Sequence, residues 1–333
     1  MRRAETGDRR GPAQRTAIAF PIADQRQPLM KQILWAIQTA LFYCFTLVAA
    51  LLPAAATDRM GALAGRLVPC IVPKRRTIVL ANINRALPFM KAHPLWDPRH
   101  PAPEAIARET FENLGRSLVE ISRLYHFRGK DIVDSIELRG QEHIEAARAK
   151  GKGILCFSGH CGNWELMALA FGSLFGGGAV VARRQNNPFL NSMVARMRMR
   201  YNSNVIYKQG ALRGILTALK KGQMVGILAD QAVLPVEGAL IDMLGIQAWA
   251  SKAPVIIAQK SGAPLIPVFI HREGKRQVIT FYPEHVFSGD KSEEGVRRET
   301  QALSRYVENF VVAHPTQWYW LHRRWKRAGE DLP

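Results

Sequence analysis

Acidic residues are scarce in this chain: 27 Asp and Glu stand against 46 Lys and Arg in 333 residues, a formal net charge of +19. That imbalance implies an anionic partner. Cysteine is scarce too, with four in all. Two of them, Cys44 and Cys70, lie in or beside an apolar stretch, which excludes a disulfide framework and suits a reducing compartment. Cys156 and Cys161 flank His160, but no second ligand pair at metal-site spacing exists elsewhere in the sequence, so no metal is expected. The Gly-x-Ser-x-Gly elbow is missing, which removes Ser158 as a hydrolase nucleophile. The chain also lacks an internal repeat and any zinc-finger, single-strand-binding or basic-zipper pattern, so nucleic acid is not the expected partner.

Charge is absent altogether from Ile33 to Ala56, a run longer than the roughly 20 residues that cross a bilayer core. Trp35, Tyr43, Lys31 and Arg59 suit its interfacial ends. A signal peptide is the competing reading, since Ala54-Ala55-Ala56 mimics a cleavage site; the run is too long for that, and about thirty residues precede it. Residues 31–58 therefore read as an uncleaved single-pass anchor. Basic residues lie on both sides of it, so charge does not orient it. Residues 1–30 are polar, Arg-rich and aperiodic, the composition of a disordered basic tail. With an anchor present, an anionic lipid, a phosphorylated lipid head group or an acidic carrier protein fits the net charge better than nucleic acid.

Residues 59–333 read as one domain. Met60–Pro73 is a short apolar stretch at the membrane surface, and apolar positions at Ile106, Phe111, Leu114, Leu118, Ile121 and Leu124 make an amphipathic helix. From Ile136 onward, short apolar runs alternate with helical patterns: strands are expected at 136–138, 154–157, 180–182, 205–207 and 224–228. Helices are expected about 142–149, after 165, near 189–201 and at 212–221. This alternation predicts an α/β fold with a mostly parallel central sheet covered by helices on both faces, plus the N-terminal transmembrane helix. A helix at 251–260, an antiparallel pair 265–270 with 278–282 across Gly274, and a final helix about 294–312 complete the expectation.

The run Ile154 to Glu165 places His160 at the top of a strand and Glu165 in the first turn of the next helix. A carboxylate on one imidazole nitrogen fixes the tautomer and raises the basicity of the other, which then takes a proton from a hydroxyl. Glu165 is the expected orienting carboxylate, and the Gly159–Gly162 turn and the helix start a source of oxyanion donors. Val180–Ala182 delivers Arg183, Arg184 and Asn187 to its end, where open α/β sheets bind ligands and guanidinium forks hold phosphate oxygens. Asp230 ends a strand at the same sheet edge, to orient a substrate sugar or a backbone loop, or else to cap a turn. In Gln317–Lys326 the aromatics are core, or else a membrane-interface belt with Arg323 and Arg324 reaching head groups. Trp249 and Met243 are candidates for an acyl groove.

Five segments occur in a telling order: H-C-G-N-W-E at 160–165, R-R-Q-N-N-P at 183–188, Ala229-Asp230-Gln231, G-A-P-L-I-P at 262–267 and Q-W-Y-W-L-H-R-R-W-K at 317–326. Together they resemble the lipid A biosynthesis acyltransferases, the lauroyl and myristoyl transferase branch of the lysophospholipid acyltransferase superfamily, from the anchor to about Lys326. Arg184 stands where that family often has proline. The resemblance implies an O-acyltransferase without a cofactor, taking an acyl thioester of acyl carrier protein or coenzyme A as co-substrate and a phosphorylated glycolipid as acceptor. His160 would be the base, Glu165 its partner, and Arg183 a phosphate contact. It also implies an inner-membrane location with the domain on the cytoplasmic side, where acyl thioesters are found. The alternative acceptors are a lysophospholipid or a mannosylated phosphoinositide. The alternative of another class is a non-catalytic basic membrane protein that binds anionic lipid or nucleic acid.

Overall fold

The structure, a computed structural model, describes residues 28–328. The expected basic tail lies outside these residues apart from its last few, and Leu29 already begins a helix. That helix, α1 (Leu29–Leu51), is followed by α2 (Ala54–Ile71), α3 (Pro73–Ala92), α4 (Pro103–Tyr125) and the short α5 (Lys130–Asp134). Next come β1 (Glu137–Arg139), α6 (Gln141–Ala149), β2 (Ile154–Ser158), α7 (Trp164–Leu174), β3 (Gly178–Ala182), α8 (Pro188–Arg200), β4 (Ser203–Tyr207), α9 (Ala211–Lys220) and β5 (Met224–Leu228). The chain ends through a hairpin of β6 (Gly238–Met243) and β7 (Ile246–Ser251), then α10 (Ala253–Ser261), β8 (Leu265–Glu273), β9 (Arg276–Phe281) and α11 (Glu293–Ala313).

The main sheet has strand order β1-β9-β8-β2-β5-β3-β4. Strands β8, β2, β5, β3 and β4 run parallel, and β9 returns antiparallel to β8. This is the mostly parallel α/β sheet that the alternation predicts, with the antiparallel pair in place. The period of two in a strand builds two cores from one sheet. On β2, Leu155 and Phe157 join the cluster formed with α9, α10 and α11, while Ile154 and Cys156 join the cluster under α6 and α7. Every residue of β2 is buried, as expected for a central strand covered on both faces.

Before the sheet, the helices pack closely. The short apolar stretch expected at Met60–Pro73 falls mostly within the helix α2, and the helix α3 follows it. A Cβ on Gly65 of α2 would lie 2.1 Å from the Phe111 carbonyl oxygen, and one on Gly115 of α4 would lie 2.1 Å from that of Gly61. The three glycines let the two backbones touch.

Helix α1 has 23 residues, about 35 Å at 1.5 Å per residue, and is long and apolar enough to cross a bilayer core. It lies against α4 and α8. Thr46 Oγ1 is 3.1 Å from His126 Nε2, and Asn187 Nδ2 donates to the Trp35 carbonyl at 3.0 Å. Its other faces carry exposed Ile33, Leu34, Ile37, Leu41, Phe45 and Val48.

Candidate active site

The site begins where two parallel strands end side by side. Ser158 of β2 is in register with Leu228 of β5, and the Ala229 N–H donates to the Ser158 carbonyl at 3.0 Å. The loops that follow therefore carry His160 and Asp230 into contact across 70 residues of sequence: His160 Nδ1 lies 2.7 Å from Asp230 Oδ1. A carboxylate only accepts, so Nδ1 carries the proton and Nε2 keeps its lone pair. Asp230 Oδ2 accepts twice more, from the His160 backbone N–H at 3.0 Å and from Trp318 Nε1 at 2.8 Å. Burial alone would raise the Asp230 carboxyl, but the His160 charge and these hydrogen bonds hold it well below the usual carboxylate range. Burial alone would lower the His160 imidazole; the charge and hydrogen bond of Asp230 outweigh it, with a smaller pull from Glu165, and raise it above its ordinary value.

The C-terminal segment pins this loop from above. Gly162 N–H donates to the Gln317 carbonyl at 2.6 Å, and Tyr319 N–H to the His160 carbonyl at 3.0 Å. Gln317 in turn closes a two-way amide pair with the Arg272 backbone. Gly162, at φ +52°, has no room for a side chain, since a Cβ would lie 2.1 Å from the Ile270 carbonyl oxygen. Trp164 stands edge-on to the His160 ring at 5.2 Å, and Tyr319 tilts over it at 6.0 Å. Asn82 of α3 donates to the carbonyls of Trp320 and His322, tying the helical layer to the same segment.

Glu165 takes a different place from the one expected. It sits in the first turn of α7, but its carboxylate forms a two-point pair with Arg198 of α8, at 2.6 and 3.2 Å. The carboxylate on the His160 ring is that of Asp230. The sequence expectation used chain proximity, whereas β5 lies between β2 and β3 and brings a distant loop closer. Asp230, expected to orient a substrate sugar or a backbone loop or to cap a turn, has a side chain only 2 % exposed and engaged by the His160 ring, the His160 backbone N–H and Trp318. Of the oxyanion donors expected in the 159–162 turn and at the helix start, the N–H groups of His160, Cys161 and Gly162 are occupied, donating to Asp230, Gly159 and Gln317 respectively.

Of the residues expected to hold the acceptor, Arg183 and Arg184 are exposed at the end of β3, and Arg184 lies over the Tyr207 ring at 4.6 Å. Asn187 is buried instead. It caps α8 by accepting from Phe189 and Leu190 N–H and donates to α1, so its side chain is structural. Arg323 is exposed, but Arg324 does not reach a head group: it is 2 % exposed and donates to the Trp249 carbonyl, with burial pushing its guanidinium down to about 10. Burial pushes the Cys156 thiol up to about 12 and that of Cys161 well above its ordinary value, which leaves both inert.

An apolar cavity adjoins the site. Its lining includes Trp164, Glu165 and Arg198 together with Met167, Phe171, Val180 and Met224. Met243 and Trp249, expected to line an acyl groove, are elsewhere: they belong to the β6–β7 hairpin and pair with Trp325 and Arg327. The residues that sequence reasoning missed are Trp318, Tyr319, Gln231 and Arg198. The first two belong to the aromatic block at 317–326, whose composition fits a membrane-interface belt as well as a core.

Comparison with known proteins bears on what this geometry does. The family described as bacterial lipid A biosynthesis acyltransferase matches residues 26–327. The chain is 29 % identical over 287 residues to the lipid A biosynthesis lauroyltransferase of Escherichia coli (strain K12), covering 85 % of this chain and 89 % of that one. It is 23 % identical over 270 residues to the palmitoleoyltransferase of the same organism, covering 80 % and 84 %. A phosphatidylinositol mannoside acyltransferase of Mycobacterium tuberculosis is 26 % identical over 242 residues, covering 70 % and 74 %. With nearly its whole length matched, the chain belongs to the bacterial lipid A biosynthesis acyltransferases, a family of O-acyltransferases.

Proposed function

We propose that this protein moves a fatty acyl chain from an acyl thioester to a hydroxyl of a lipid A precursor at the inner membrane, with His160 as general base. One observation carries the mechanism: His160 is held at Nδ1 by a buried carboxylate, while its partly exposed ring stands edge-on to Trp164, which lines an apolar cavity. Nε2 takes the acceptor hydroxyl proton, and the oxygen attacks the thioester carbonyl. Asp230 stabilises the imidazolium. When the carbon–sulfur bond breaks, the leaving thiolate takes the proton back from Nε2, so no covalent acyl-enzyme is needed.

The other groups take supporting parts. The cavity walled by Met167, Phe171 and Val180 suits an alkyl chain. The Glu165–Arg198 pair links α7 to α8 in the cavity lining. Arg183 at the end of β3 suits an acceptor phosphate, and Arg323 adds a second exposed cation. The exposed apolar faces of α1 support residence at the bilayer, with the domain on the cytoplasmic side where acyl carrier protein and acyl coenzyme A are found.

The test is mass spectrometry of lipids from the source bacterium lacking this chain, rescued with wild type or His160→Ala. The expected result is lipid A lighter by one acyl chain, restored by wild type alone. Intact lipid A with an under-acylated phospholipid or mannosylated phosphoinositide would replace the acceptor. Restoration by His160→Ala would refute the base.

A further inference from the structure

The reactive nitrogen of His160 already has a partner. Gln231 follows Asp230 directly on the loop that ends β5, and its amide nitrogen lies 3.3 Å from His160 Nε2. With Nδ1–H committed to Asp230, Nε2 can only accept, and the amide N–H is the group that donates. The orienting carboxylate and the occupant of the reactive nitrogen are thus neighbours in sequence, delivered by one strand end.

That occupancy has a chemical consequence. A base able to deprotonate a lipid hydroxyl can also deprotonate water. With donor bound and acceptor absent, water would attack the thioester carbonyl as its proton passes to Nε2. The carbon–sulfur bond would then break and the thiolate would recover the proton, releasing free fatty acid and thiol. We infer that Gln231 determines specificity for lipid hydroxyl over water by masking the Nε2 lone pair until a bound acceptor displaces it. This inference rests on the proposed reading of His160 as the base and of a thioester as the donor.

Two features suit a displaceable mask. At 3.3 Å the contact is longer than a typical N–H donor bond, so an acceptor hydroxyl positioned by its own head-group and acyl contacts can replace it. Gln231 is also only partly buried, unlike Asp230 beside it, so the carboxamide has solvent to swing into. A hydrogen bond donated to the neutral ring also favours that form, opposing the pull of Asp230.

The experiment uses the full chain in detergent micelles, with acyl coenzyme A as donor, comparing wild type with Gln231→Leu and Gln231→Asn. Free thiol released without acceptor reports hydrolysis, and lipid product formed with a lipid A precursor reports transfer. Both variants are expected to raise hydrolysis relative to transfer by about two- to tenfold, the range set by one net hydrogen bond. They should also move the acid limb of kcat/KM to higher pH, because the bond to the neutral ring is lost. Hydrolysis that stays level in both variants, or falls in step with transfer, overturns the mask. Thiol release that persists in His160→Ala would instead overturn the base, and a wild type that neither transfers nor hydrolyses would overturn the donor.

Discussion

A histidine–carboxylate pair stands at each end of the parallel strands, and of these two the His160–Asp230 pair has the form of an active site. His160 and Asp230 meet past the carboxyl ends of β2 and β5. His285 and Glu299 meet at 2.9 Å at the other end, where the His285 backbone N–H donates to Leu265, the first residue of β8. At the first end the carboxylate is 2 % exposed and the imidazole 21 %; at the second the values are 9 % and 10 %. His285 is closed in by Phe287 and Tyr306, and Glu299 spends its second oxygen on the Ser288 N–H. A histidine–carboxylate pair is therefore not in itself a base. It becomes one when a buried carboxylate holds a ring that is still open, at the strand ends where α/β sheets leave a crevice.

The sharpest way to break this comparison is to remove the deep carboxylate. Asp230→Asn should lower kcat by on the order of 10³–10⁴-fold in an acyl-transfer assay, since it removes the charge that selects the tautomer and stabilises the imidazolium. The Glu165 carboxylate is nearby but paired to Arg198. Glu165→Gln should cost on the order of ten- to a hundredfold, through a displaced α7 rather than a lost base partner. If the two losses come in reverse order, Glu165 is the orienting group. At the far end, Glu299→Gln should leave kcat unchanged and lower stability by about 1–2 kcal/mol, read as an earlier thermal unfolding transition. Loss of turnover in that variant would erase the distinction between the two ends.

Much of this arrangement was visible in the sequence because strands and helices of the α/β core have different apolar periods. The runs at 154–157 and 224–228 were legible as strands, and the amphipathic pattern at 106–124 as a helix. The hairpin β6–β7 was not. Its inward residues Ala239, Ile241, Ala248 and Ala250 alternate with apolar Leu240 and Trp249, which blunts the period of two, although Leu244 and Gly245 take the left-handed turn that a tight hairpin requires. Helix α2 was lost to its glycines, which lower helix propensity while serving the contact with α4.

At the site, the histidine was legible and its partner was misassigned for a topological reason. Sequence order places β3 next after β2, so residues near His160 in the chain were taken as its neighbours. Strand order instead inserts β5 between them, and no local pattern records that. Trp318 and Gln317 were legible as members of an aromatic block, but their bonds to Asp230 and to Arg272 depend on where α11 returns the chain.

The most direct test is the pH dependence of kcat/KM in wild type, Asp230→Asn and Glu165→Gln. As the proposed base, His160 would act in its neutral form, so activity should rise with pH through the imidazole pKa, which Asp230 holds above its ordinary value of 6.5. In Asp230→Asn, burial is opposed only by the smaller pull of Glu165 and the acid limb should move to lower pH, while in Glu165→Gln it should move far less. A limb that moves in Glu165→Gln and stays fixed in Asp230→Asn would contradict the account.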